Sequence, residues 1–231
     1  MKTLRVLSGG AAQGLVEALR PSFEASTGAT IDGIFGAVGT MKSRLLAGDP
    51  ADVMILSHAL IDGLARDGEV MALSAKDIGA VQTAVAVRSG DPLPAVGSAA
   101  ELRAALLAAD AFHFPDPEQS TAGIHFAKVL RDLGIWDETA DRRQPAPNGT
   151  TAMRALAASK SRQPIGCTQA TEILATPGIV LVASLPTGCE LATVYSSAIA
   201  TKSLVPAEAA ELIAQLTGDA GRDARKQLGF V

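Results

Sequence analysis

Short apolar runs alternate with longer amphipathic segments along the chain. Leu4–Leu7 is a continuous apolar run, which is typical of a buried strand. From Ala12 to Phe23 the apolar residues recur at helical spacing, and Pro21 predicts that this helix bends or ends near it. The same pattern predicts two further strand–helix pairs. The first is a strand at Ile31–Phe35 with a helix at Met41–Leu46, and the second is a strand at Ala51–Ile55 with a helix at Ala59–Arg66. This order favours a parallel sheet with helices on its faces.

Two long β-type runs, Val81–Val87 and Ala192–Ala200, interrupt this order. A second alternating set is predicted between them, with helices at Ala99–Ala109, Thr121–Leu133 and Thr150–Ala158 and strands at Ala111–Phe114, Ile165–Thr168 and Ile179–Val182. A last helix begins after Pro206, which suits a first-turn position. The pattern predicts an α/β protein of two Rossmann-like lobes with mostly parallel sheets, joined by two crossover strands. We expect lobe one to contain residues 1–82 and 197–231 and lobe two residues 83–196, with hinge motion around a ligand in the cleft.

Composition and charge narrow the function classes. The chain has 231 residues, of which 48% are hydrophobic and 19% charged, as in globular proteins. Its net charge of −4 and its 3% of aromatic residues argue against a nucleic-acid partner. Cys167 and Cys189 form no CxxC pair, so buried thiols are favoured over a single disulfide bridge. No metal-ligand spacing and no nucleotide-binding loop is present, so we expect no cofactor and no metal.

Four strand-to-helix junctions are rich in small and hydroxyl residues. They are Ser8–Gly14, Gly36–Thr40, Ser120–Gly123 and Asn148–Thr151. The start of a helix offers free N–H groups and a partial positive charge, and glycine allows close approach of the backbone. Ordinary N-capping explains any one junction, but four at corresponding places predict an anion site.

Candidates for acid–base chemistry are few. His58 follows a predicted strand end, where open α/β sheets bind ligands, and Asp116 and Glu118 precede a helix. For His58 an exposed loop position is an equally good interpretation, and for Asp116 and Glu118 a solvated loop position is the commoner case. His113 is expected to pack inside a strand and His125 to be exposed on a helix.

The chain resembles the molybdate-binding, type 2 solute-binding proteins of ABC transporters. The shared landmarks are Leu4–Ala11, Phe23–Gly28, Leu46–Val53, Thr121–Ile124, Leu133–Trp136, Pro164–Gly166 and Gly229–Phe230. The resemblance implies the periplasmic-binding-protein type 2 fold, a ligand between two lobes, an ABC permease as partner and a monomer. It also implies a periplasmic location. No signal peptide is visible, so a cytoplasmic location is expected if the sequence is the full gene product.

Three departures from that family bear on the ligand. Gly9–Ala12 and Ala37–Gly39 replace segments that contain serine in the family, and Gln169 replaces a tyrosine. We therefore expect a small organic carboxylate rather than molybdate. The candidate ligand-binding residues are Ser8, Gly9, Gly10, Ala11, Ala37, Gly39, Thr40, Ser57, Thr121, Ala122, Asn148, Gly149, Thr150, Thr151 and Gln169.

Three functions stay open at this point. The first is capture of a small anion for ABC-type transport, without catalysis. The second is an isomerase on the same scaffold that acts on an unsaturated carboxylate, since some proteins similar to this family isomerise aconitate. The third is a cytoplasmic ligand sensor. An isomerase needs a base, and the sequence offers His58, Asp116 and Glu118 for that role.

Overall fold

The computed structural model describes residues 2–231. The chain forms two units, one containing the residues up to Val81 together with Thr193–Val231 and the other containing Gln82–Ala192. The first unit is therefore built from both ends of the chain, and the second unit from its middle.

The first unit has a mostly parallel sheet flanked by helices. Its elements are β1 (Thr3–Gly9), α1 (Gln13–Thr27), β2 (Thr30–Gly36), α2 (Val38–Leu46), β3 (Val53–Ser57), α3 (His58–Arg66), the start of β4 (Lys76–Arg88), β9 (Ala192–Ile199), α8 (Pro206–Thr217) and α9 (Arg222–Gln227). Strand β1 lies between β2 and β3 and is parallel to both, and β3 is antiparallel to β9. Because β1, β2 and β3 run in the same direction, their carboxyl ends meet at one edge of this sheet.

Helix α1 shows how the amphipathic pattern forms the core of this unit. Its buried residues Leu15, Leu19 and Phe23 follow the predicted helical spacing, and the helix contacts α8 and α9. Pro21 is exposed, and the helix continues past it to Thr27 and ends at Gly28, whose φ of 68° is left-handed. Of the two predicted alternatives, an end at Pro21 is excluded, because the helix and its buried face continue on both sides of the proline.

The second unit contains the remaining elements. They are the rest of β4, α4 (Ala99–Ala108), β5 (Ala111–Pro115), α5 (Thr121–Asp132), β6 (Arg143–Ala146), α6 (Gly149–Ala157), β7 (Pro164–Gln169), α7 (Ala170–Leu174) and β8 (Ile179–Ser184). Strand β5 lies between β6 and β7 and is parallel to both, whereas β4 is antiparallel to β7 and β8. The carboxyl ends of β5, β6 and β7 therefore share one edge of this second sheet.

The core of the second unit combines aliphatic side chains with Phe112, Phe114 and Phe126, and it contains both thiols. The rings of Phe114 and Phe126 meet edge to face, with their centroids 5.3 Å apart. Cys167 and Cys189 are buried free cysteines, which confirms the expectation of buried thiols. Burial raises the pKa of the Cys167 thiol well above its ordinary value, so this thiol is unreactive.

The structure confirms the predicted α/β class and mostly parallel sheets, and among the strands and α-helices it adds three that the pattern did not predict. These are strand β6 and the short helices α7 and α9. It also corrects the interpretation of His125, which is half-buried and hydrogen-bonded through Nε2 to the carbonyl of Cys189, 2.8 Å away. His113 is buried in β5, as predicted.

Candidate functional site

The carboxyl edge of the first sheet holds eight of the predicted site residues. Strands β1, β2 and β3 end at Gly9, Gly36 and Ser57, and each is followed directly by a helical segment. A short 3-10 turn at Gly10–Ala12 leads into α1, while α2 begins at Val38 and α3 at His58. The residues at this edge are Ser8, Gly9, Gly10, Ala11, Ala37, Gly39, Thr40 and Ser57.

The start of α2 has no side-chain cap. Ala37 is the N-cap residue, and it has no side-chain oxygen that could accept from the first turn. Ser57 precedes α3 in the same way without making a side-chain capping bond. The first-turn N–H groups of α2 therefore form an electropositive edge built from backbone alone, which suits an anionic ligand.

Gly9 allows three segments to approach each other at this edge. A Cβ at this position would lie 2.8 Å from Cγ1 of Val38 and 3.1 Å from Cε1 of Tyr195, so a larger residue would push the end of β1 away from α2. Ser8 is buried, and its hydroxyl donates to the carbonyl of Gly9 over 2.9 Å. Thr40 is exposed in the first turn of α2. The hydroxyl of Ser8 thus bonds within its own strand end.

The carboxyl edge of the second sheet holds the other predicted residues. They are Thr121 and Ala122 at the start of α5, Asn148 to Thr151 at the start of α6, and Gln169 at the end of β7. No side chain caps α5, whose N-cap residue is Ser120. Gly123 is required here, because a Cβ would lie 2.2 Å from the carbonyl oxygen of Asp116. Asp116 itself accepts from the N–H groups of Glu118 and Gln119 and shapes the turn before α5.

The start of α6 differs, because the protein's own side chains bond its donors. Oδ1 of Asn148 accepts from the N–H of Thr151 over 2.8 Å. The buried carboxylate of Glu172 accepts from the N–H groups of Gly149 and Thr150 and from the hydroxyl of Thr168, 2.6 Å away. A ligand at α6 would therefore meet the side chains of Thr150 and Thr151 rather than free N–H groups.

Glu172 is a residue that the sequence analysis missed. It lies on α7, which is too short to show helical periodicity. Burial raises the pKa of its carboxyl to about 7, although the hydrogen bonds from Thr168 and the backbone act in the opposite direction. Gly149 is matched to it, because a Cβ there would lie 1.9 Å from Oε2 of Glu172. The one available signal was an acidic residue three positions after the end of a buried strand.

His58 is part of a polar cluster in the first unit. Its Nδ1 lies 2.8 Å from Oδ1 of Asp77 and 3.2 Å from Oγ of Ser196, and its Nε2 lies 3.2 Å from Oδ2 of Asp62. Ser196 donates to the same Oδ1 of Asp77 over 2.6 Å. The hydrogen bond to Asp77 and the charges of Asp77 and Asp62 raise the pKa of His58, while the bonds from Ser196 and His58 lower the pKa of Asp77.

Comparison with known proteins gives matches along nearly the whole chain. Residues 4–231 match the family described as bacterial extracellular solute-binding protein. The chain is 30% identical to an aconitate isomerase from Pseudomonas sp. over 237 aligned residues, covering 98% of this chain and 85% of that protein. It is also 24% identical to the molybdate-binding protein of Escherichia coli K12, covering 71% of this chain and 64% of that protein.

Solved structures show the same fold. The periplasmic molybdate-binding protein of Azotobacter vinelandii superposes with a TM-score of 0.82 at 17% identity, over 99% of this chain and 98% of that one. In residues 2–231, no helix combines the length and the apolar character needed to cross a bilayer. The similarity establishes the periplasmic-binding-protein type 2 fold.

Proposed function

We propose that this chain, which belongs to the family of bacterial extracellular solute-binding proteins, binds a small organic carboxylate for delivery to an ABC-type permease. A periplasmic location accompanies this proposal. The observation that carries the proposal is the uncapped start of α2, where Ala37, Val38 and Gly39 present backbone N–H groups and no hydroxyl.

The same observation favours a carboxylate over a compact oxyanion. A tetrahedral oxyanion needs several donors that converge within a small volume, and short hydroxyl side chains supply such donors well. Gly10 and Ala11 after β1 and Ala37 before α2 have no side-chain donor. Each missing partner costs roughly 1–3 kcal/mol when the oxyanion is desolvated. A longer carboxylate fills the space left by the absent side chains and still ends on backbone N–H groups.

Calorimetric titration tests the ligand class. The ligands are trans-aconitate, citrate and malate on one side, and molybdate, tungstate and sulfate on the other. We expect at least one carboxylate to bind at least tenfold more tightly than any of the inorganic anions. Tight binding of molybdate with no response to a carboxylate would reject the proposal.

A pair of variants tests the position of the site. Gly39→Asp introduces a carboxylate into the first turn of α2, and Gly39→Asn introduces a neutral side chain of the same size. An acidic residue in a first turn stabilises a helix, so the fold is retained, but it repels a bound anion. We expect the carboxylate to bind at least tenfold more weakly to the Asp variant than to the Asn variant. Equal affinities would mean that the start of α2 does not hold the ligand.

An isomerase is the second candidate function. The observation that favours it is the 30% identity to an aconitate isomerase over 98% of this chain. This candidate uses the same carboxylate site and adds one requirement, a group that removes a proton from carbon and returns it.

A further inference from the structure

We propose that His58 is the base that moves a proton between two carbons of an unsaturated tricarboxylate bound at the carboxyl edge of the first sheet. The proposal rests on the isomerase candidate above. It is carried by the arrangement around the ring, in which Asp77 and Ser196 lie at one nitrogen and Asp62 at the other. Asp116 and Glu118, the other candidates from the sequence, have no comparable arrangement, since Asp116 shapes a turn and Glu118 is exposed.

The cluster is not arranged as a hydrolytic triad. In such a triad the carboxylate holds one ring nitrogen, and the serine hydroxyl contacts the other. Here Ser196 and Asp77 are both at Nδ1, and Ser196 donates to Asp77 rather than to the ring. Ser196 is also buried, so its oxygen is a poor nucleophile for an external substrate. Ser196 therefore orients Asp77, and Asp77 in turn orients His58.

This arrangement makes Nε2 the nitrogen that reacts. With the Nδ1 proton donated to Asp77, the neutral ring has its lone pair at Nε2. Asp62 contacts Nε2 at 3.2 Å, but it is one turn away on the same helix, and its side chain is 56% exposed. It can turn to solvent and leave Nε2 to a substrate. His58 is itself half-exposed and does not need a conformational change of the backbone to reach a ligand.

His58 lies at the same carboxyl edge of the first sheet as the proposed anion site. It is the first residue of α3, directly after β3 ends, and β3 is the neighbour of β1 in the sheet. The end of β1 in turn approaches the start of α2 at Gly9 and Val38. When the carboxylates of the ligand bind at the start of α2, its carbon skeleton would lie along the carboxyl edge of the first sheet, where His58 is also located.

The proposed step balances without a co-reactant. Nε2 of His58 takes a proton from the methylene carbon, and the C–H electron pair forms a new C=C bond. The electrons of the old double bond move towards the neighbouring carboxylate. These electrons then return to the far carbon and form its new C–H bond with the proton that the imidazolium gives up from Nε2. The double bond has moved by one position, the ring is neutral again, and no oxidant or reductant is consumed.

Proton NMR in deuterated buffer tests the proposal with the full chain and trans-aconitate. We expect conversion to an isomer, with deuterium appearing at the methylene carbon. His58→Gln should lower kcat at least 100-fold, which is the lower range for loss of general acid–base catalysis, and should leave the calorimetric affinity within threefold. His125→Gln, a histidine substitution in the second unit, should keep turnover within twofold. Ser196→Ala should keep it within tenfold.

The pH profile separates a base from a merely structural residue. His58 must be neutral to act, so its pKa sets the acid limb of kcat/KM. The charged groups facing the ring are Asp77 and Asp62, and both raise that pKa. Asp77→Asn should therefore move the acid limb to lower pH, and Asp62→Asn should move it in the same direction by less.

Each outcome decides between the proposals. Conversion that survives in His58→Gln at the wild-type rate would overturn the role of His58 and leave the isomerase intact. Wild-type protein that binds trans-aconitate without conversion or deuterium exchange would overturn both. Absence of binding by any carboxylate would overturn the proposed ligand class itself. Unchanged melting of His58→Gln confirms that the variant is folded.

Discussion

At the scale of single residues, Glu172 takes the position at the start of α6 that an external anion would otherwise occupy. Its carboxylate bonds the N–H groups of Gly149 and Thr150, while Ala37 leaves the corresponding groups of α2 without a side-chain partner. Two helix starts that look alike in sequence therefore differ in chemistry. The difference comes from Glu172, which lies 23 positions after Gly149 and is therefore not part of the junction sequence itself.

Glu172 also makes stability depend on pH. The pKa of its carboxyl rises from 4.5 to about 7 on folding. Below pH 4.5 the group is protonated in both states, and between these values the unfolded chain releases a proton that the folded chain keeps. The free energy of unfolding should therefore fall as pH rises through this window. Urea denaturation at several pH values should show a smaller fall for Glu172→Gln than for the wild type.

The control for this measurement is Glu138→Gln, because Glu138 is exposed and lies in the same unit. It should keep the wild-type dependence on pH. If Glu172→Gln showed the same dependence as this control, the raised pKa of Glu172 would be contradicted.

At the scale of elements, α1 shows that a buried face outweighs a local helix breaker. Pro21 has no N–H to donate to the carbonyl of Glu17. The helix nevertheless continues, because its buried face packs against neighbouring elements through Leu15, Val16, Leu19 and Phe23. The proline is on the exposed side, where its ring meets solvent. The helix therefore has a local weakness that its tertiary contacts compensate.

Replacing that proline should strengthen the helix. Pro21→Ala restores a backbone hydrogen bond and should raise the free energy of unfolding by up to about 3 kcal/mol. Ala18→Pro, on an exposed position three residues earlier, makes the opposite change and should lower it by about 3 kcal/mol or more. Chemical denaturation measures both. A loss of stability in Pro21→Ala would show that the proline is required where it stands.

The elements that sequence patterns predicted are those long enough to show a period. Strands β1 and β2 and helices α1, α5 and α8 follow the apolar spacing closely. Strand β6 contains no β-branched residue and has a proline at position 145, so nothing in its composition favoured a strand. Helix α7 spans five residues, of which four are buried, so it is too short and too fully buried to show an amphipathic period. Helix α9 is almost wholly polar and has no buried residue.

At the scale of the whole molecule, the predicted site is only partly accounted for by local sequence. The junction residues do lie at the carboxyl edges of their sheets, because strand order and direction follow from the strand–helix alternation. The contacts of Glu172 with α6 and of Asp77 with His58 depend on tertiary packing, which the spacing of residues along the sequence does not reveal. That the junction residues of the two units share one ligand stays a prediction.

Ligand binding should stabilise the entire chain measurably. A carboxylate at 100 times its Kd adds about 2.7 kcal/mol to the free energy of unfolding. For a chain of 231 residues this corresponds to a rise in Tm of roughly 5–11 °C. Differential scanning fluorimetry measures it, with molybdate at the same concentration as the comparison. A larger shift with molybdate than with any carboxylate would contradict the proposed ligand class.

The place of His58 in the fold has a consequence for how new activities arise. It is half-exposed and opens a helix without taking part in the core, so a substitution at this position should leave the packing of the core intact. A protein that holds a carboxylate gains chemistry when one neighbouring side chain can exchange a proton with it. On such a scaffold few substitutions separate a protein that carries its ligand from one that transforms it, and the change can go in either direction. A protein that only carries its ligand and one that transforms it can thus differ at a few strand-end positions while sharing every element of the fold.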